Sequence, residues 1–113
     1  MHTTATELLV TVTDETFAAS VLASDLPVVV DFWAEWCPPC RKISHTLAEL
    51  AVEFEGRMVF AALNSDENPR TTRDHRVMSL PTLLVFRGGV VVGSIVGARP
   101  KGYLRDALGA HAA

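Results

Sequence analysis

Apolar residues change their spacing several times along this chain, and each change marks an element. Leu8–Val12 is short and apolar enough for a strand. Thr13 predicts an N-cap for a helix that begins at Asp14 and turns Phe17 and Val21 inward. Pro27 opens Val28-Val29-Val30-Asp31-Phe32-Trp33, a near-continuous apolar run of the kind carried by a strand covered on both faces. Beyond Cys37 the spacing becomes helical: Ile43, Leu47, Leu50, Ala51 and Phe54 share one face, and Gly56 supplies a stop. Met58–Leu63 reads as another buried strand. Asn68-Pro69 predicts a cap followed by proline in the first helical turn, opening a short helix toward His75. Thr82–Arg87 and Val90–Val96 flank Gly88-Gly89, a hairpin signature. A last helix runs from Pro100 to Leu108 and presents Leu104, Ala107 and Leu108.

The order β-α-β-α-β-α-β-β-α predicts an α/β fold. The early crossovers favour parallel pairing and the hairpin adds an antiparallel pair, so a mixed sheet with helices on both faces follows. A length of 113 residues suits one domain, and a 49% hydrophobic content suffices for its core. Residues 1–7 are expected to form a short flexible extension. The net charge of −3 is small and interspersed, which argues against a nucleic-acid or membrane-surface binder. Apolar runs of about five residues are too short to cross a bilayer. The N-terminus carries neither a basic cluster nor the apolar run of a secretory leader, so a cytoplasmic location is expected.

The only two cysteines are Cys37 and Cys40, inside Trp36-Cys37-Pro38-Pro39-Cys40. This segment joins the end of a central strand to the start of the longest helix, the usual place for a site in an α/β sheet. At the N-cap, Cys37 would meet free N–H groups and the positive end of the helix dipole. Both stabilise a thiolate, lowering the thiol pKa from about 8.5 toward 7 or below. Cys40, one turn further in, is expected to be more buried and to stay protonated until needed. Other readings are weaker. A disulfide closing so short a loop gives little entropic stabilisation. Zinc wants four ligands and only His45 lies nearby, so no metal is expected. Arg41 stands where a c-type haem site needs histidine. Two inert core cysteines fit poorly with two prolines that suit a turn into a helix.

Asp31 interrupts a strand of Val, Phe and Trp, where burial would favour the neutral acid. The alternative is a capped or partly exposed strand residue. Pro81 precedes a strand and cannot join a central ladder; taken alone it could equally be a trans strand-opener, since only about one X–Pro bond in twenty is cis. Trp33 reads as core packing and His45 as a solvated helix residue.

Asp31-Phe32-Trp33-Ala34-Glu35-Trp36-Cys37-Pro38-Pro39-Cys40, followed by Ser79-Leu80-Pro81-Thr82-Leu83-Leu84-Val85-Phe86, resembles the thioredoxin family. The likeness extends from about Leu8 to Leu108, taking in Leu63-Asn64, Asp66, Asn68-Pro69 and Val96-Gly97-Ala98. It implies the thioredoxin fold, a central mixed five-stranded sheet flanked by four helices, and disulfide reductase activity on protein substrates. Cys37 would be the nucleophile and Cys40 the resolving thiol. Asp31 would accept the Cys40 proton, through water. Pro81 would be cis against the cysteine pair, and Leu80 would offer backbone groups to an extended substrate segment. Trp36, Pro38, Pro39, Leu80, Pro81, Val96, Gly97 and Ala98 would form the substrate rim. The resemblance further implies a monomer without bound cofactor, re-reduced by a flavoprotein, NADPH-dependent thioredoxin reductase. The rival readings are an exported disulfide oxidase or isomerase, and a thioredoxin-like binding subunit. Four positions depart from the family pattern: Pro38 replaces Gly, His45 a kinking proline, Ala62 a lysine near the buried Asp, and Arg76 a helix-ending Gly.

Overall fold

The computed structural model describes residues 8–113; the extension expected at 1–7 lies outside the described residues. The elements are β1 (Leu9–Thr11), α1 (Ala18–Leu22), β2 (Val28–Trp33), α2 (Pro38–Glu53), β3 (Val59–Asn64), α3 (Pro69–Asp74), β4 (Thr82–Arg87), β5 (Val90–Val96) and α4 (Lys101–Gly109). The five strands form one mixed sheet in the order β1-β3-β2-β4-β5. β3 runs parallel to both β1 and β2, whereas β4 is antiparallel to β2 and to β5.

Alternation along β2 sorts the core into two layers. Val29 packs with Ile43, Leu47 and Leu50 of α2, Leu83 of β4, and Leu104 and Leu108 of α4. Val28, Val30 and Phe32 point the other way, among Phe17, Val21, Leu63 and Phe86. On that second face His75, which ends α3, lies with its ring 5.3 Å from Phe17 and 5.2 Å from Phe86. Gly88 and Gly89 both take positive φ, 58° and 79°, as the two-residue hairpin between β4 and β5 requires.

Two local expectations change. Thr13 does cap, since its hydroxyl accepts from the Thr16 N–H at 3.3 Å while Thr16 Oγ1 accepts from the Thr13 N–H at 2.8 Å. The element that follows is nevertheless π-wound, with Ala23 N–H bonded to the Ala18 carbonyl five residues back. Buried residues four apart, Phe17 and Val21, suit either winding, so their spacing does not discriminate. The Asn68 side chain does not cap α3. It accepts from Asp14 N–H and donates to the Asn64 carbonyl. Asp14 supplies the cap instead, accepting from Arg70 N–H at 3.3 Å and Thr71 N–H at 2.8 Å.

Candidate active site

Strand register decides where the chemistry gathers. Phe32 of β2 lies opposite Thr82 of β4, which lies opposite Val96 of β5, while Trp33 pairs with Asn64 of β3. The β2–α2 turn, the segment before β4 and the segment after β5 therefore leave the sheet at one edge. This brings Trp36 to Cys40, Leu80-Pro81 and Val96 to Ala98 to a single face, although they are far apart in sequence.

Cys37 and Cys40 are joined by a disulfide, with their Cα atoms 5.3 Å apart. Cys37 is the N-cap of α2 in an extended conformation, and its Sγ accepts from the Cys40 N–H at 3.3 Å. Pro38 and Pro39 fill the first turn and lack N–H groups, so Cys40 supplies the first side-chain-directed donor of the helix. The order of burial is as expected, but its margin is small: Cys37 is 3% exposed and Cys40 1%. In this disulfide form both cysteines are buried.

Asp31 is fully buried on the face of Val29, beneath α2. Its cross-strand neighbours are Ala62 and Leu83, neither of which offers a charge. Neither carboxylate oxygen has a hydrogen-bond partner among the described residues. Burial pushes its pKa from 3.8 to about 7. Because Ala62 stands where a lysine would have favoured the charged form, desolvation acts on Asp31 unopposed.

The Leu80–Pro81 peptide bond is cis, and the buried Pro81 carbonyl accepts from Gly97 N–H at 2.9 Å, tying β5's exit to the proline. Trp36, Pro38, Pro39, Val96 and Ala98 are exposed, while Leu80 and Gly97 are half-buried. Trp36 is 67% exposed and donates its indole N–H to Asp66 Oδ2 at 2.9 Å. That tether spans 30 residues and has no local signature in the sequence. Met78, 92% exposed, adds apolar surface beside Leu80 and was equally unmarked. His45 is exposed, and α2 runs without interruption through it. Trp33 is only half-buried, because it ends its strand at this same edge.

Among the described residues no group of three or more His, Cys, Asp or Glu is arranged to hold a metal ion. Nor is any described helix long and apolar enough to cross a membrane. What remains at this edge is a pair of sulfurs whose oxidised form is a disulfide, set at a helix N-terminus among exposed Trp36, Val96 and Ala98, while the buried acid Asp31 lies two residues before the end of β2. Such a pair takes up and gives back two electrons by thiol–disulfide exchange.

Comparison with known proteins agrees with the chemistry. The sequence model of the thioredoxin family matches residues 8–110. A thioredoxin of Streptomyces clavuligerus is 54% identical over 97 residues, covering 86% of this chain and 90% of its own. Thioredoxin 1 of a Nostoc species is 46% identical over 100 residues, covering 88% and 94%. A Synechocystis thioredoxin is 45% identical over 97 residues, covering 86% and 91%. With that fold, that cysteine pair and similarity over nearly the full length, the chain belongs to the thioredoxin family and is a thioredoxin-type protein disulfide reductase.

Proposed function

We propose that Cys37 is the attacking sulfur and Cys40 the resolving one, in a single domain that works as a monomer on protein disulfides. The reduced Cys37 thiolate attacks one sulfur of a substrate disulfide. The substrate S–S bond breaks, its other sulfur leaves as a thiolate that takes a proton, and a mixed disulfide forms. Cys40 then gives up its proton toward the Asp31 carboxylate and attacks Cys37 Sγ. The second substrate thiol is released, and the protein is left with the Cys37–Cys40 disulfide; two electrons have passed to the substrate. Trp36, Pro38, Pro39, Leu80, Pro81, Val96, Gly97 and Ala98 line the docking rim, with free backbone groups near Leu80 suited to an added strand.

The observation that carries this assignment is the Cys40 N–H directed at Cys37 Sγ from the N-terminus of α2, an arrangement that favours negative charge on Cys37 rather than Cys40. The disulfide product must be reduced again. The expected donor is an NADPH-dependent flavoprotein reductase of the cytoplasm, by analogy with the family. Insulin reduction, followed as turbidity with dithiothreitol as electron source, tests the roles. Wild-type protein should accelerate precipitation, and Cys37→Ser should fall to the uncatalysed rate. Full activity in Cys37→Ser would refute the assignment.

A further inference from the structure

Beside Ala98 the rim opens into a cleft of about 350 Å³, lined by Lys42, Ile43 and Thr46 of α2 and by Arg99, Pro100 and Lys101. Three of its side chains are cationic, and they differ in how they are held. Lys101 Nζ lies 3.5 Å from both Glu49 and Glu53, so its charge is already met. Lys42 and Arg99 make no ion pair among the described residues, and both are exposed. Arg99 instead rests over the Tyr103 ring, 5.7 Å from its centroid, which holds the guanidinium without neutralising it. Glu53 is further occupied by Arg105, at 2.7 Å, so the acids next to this cleft are already engaged. Two cations without an ion pair among the described residues therefore stand on a chain of net charge −3, beside the rim proposed above for substrate docking.

We infer that this cleft selects substrates: protein disulfides whose flanking chain carries aspartate or glutamate dock with the acidic side chain between Lys42 and Arg99. The inference rests on the reductase reading above and adds a charge preference to it. Ala98 belongs to the rim and Arg99 follows it directly, so a segment lying along Val96-Gly97-Ala98 would deliver its next side chain into the cleft. Ile43 supplies an apolar floor for the stem of that side chain. Charge complementarity at an exposed rim acts mainly on encounter rate and weakens with salt.

Two disulfide-bonded peptides differing only in Glu versus Gln beside the reactive cysteine provide the test. With reduced wild-type protein at low ionic strength, the Glu peptide should react about fivefold faster than the Gln peptide. That ratio should fall toward one in 0.5 M NaCl, and toward one at low salt in the double variant Lys42→Gln, Arg99→Gln. Because the readout is a ratio, a general loss of activity lowers both rates and leaves it unmoved. A wild-type ratio near one at low salt, or a ratio indifferent to salt, overturns the inference while leaving the reductase reading in place. Reaction with neither peptide sinks the reductase reading instead.

Discussion

Asp31 is the residue whose environment predicts the most. Its carboxyl has a folded pKa of about 7 against an ordinary 3.8, so between those values the folded chain binds more protons than the unfolded one. Stability therefore falls as pH rises through this window and stays low above it. Asp31→Asn removes the buried charge, so its advantage over wild type should grow by about 2–3 kcal/mol between pH 5 and pH 8, at 1.36 kcal/mol per tenfold change in proton affinity. Urea unfolding at the two pH values measures it, and an advantage that did not grow would show that Asp31 is solvated in solution. On the proposed role of Asp31 as acceptor of the Cys40 proton, the same substitution should slow release of the mixed disulfide near neutral pH. Pro38 is the counter-case, a departure from the family pattern expected to change little. The donor to Cys37 Sγ is Cys40 N–H, which no residue at position 38 provides. Pro38→Gly should therefore move the redox potential by less than about 30 mV, equivalent to about 1.4 kcal/mol; equilibration with glutathione checks this.

At the scale of elements, α3 holds the clearest consequences. Just past its His75 cap stands Arg76 at φ 54°, the left-handed position usually given to glycine. Arg76 N–H reaches the Arg73 carbonyl and Val77 N–H the Thr72 carbonyl, the paired bonds that close a helix in this way. Arg76→Gly should relieve the side-chain strain and raise stability by about 0.5–1 kcal/mol, net of glycine's larger unfolded entropy. At the other end, Asp14→Ala frees the Arg70 and Thr71 N–H groups and should lower stability in thermal or urea unfolding. These two ends mark the border of what the sequence makes legible. Strand β2, helix α2 and the Gly88-Gly89 hairpin each carry their signal within a few neighbouring residues, and the order of elements follows from such signals. Asp14 reaching Thr71 of α3, and Asp66 reaching Trp36, are contacts across 57 and 30 residues in which neither partner's neighbours announce the other. The π winding of α1 was hidden for a different reason: buried Phe17, at its N-cap, and Val21, within it, fit two helices equally well.

For the whole molecule, sheet register is what turns scattered motifs into a site. Cys37, Pro81 and Val96 were identifiable one by one, but their convergence depends on β2, β4 and β5 being aligned through Phe32, Thr82 and Val96. The disulfide and the exposed rim residues then lie at one edge, and the sulfur at the helix N-terminus is the one proposed to attack. Trapping tests that claim most directly. Reduced Cys40→Ser protein, mixed with a disulfide-bonded protein substrate, should accumulate a one-to-one covalent adduct through Cys37 that dithiothreitol releases, and Cys37→Ser should accumulate none. Mass spectrometry of the digested adduct locates the linkage. An adduct that forms through Cys40 in Cys37→Ser, and not through Cys37 in Cys40→Ser, would contradict the account.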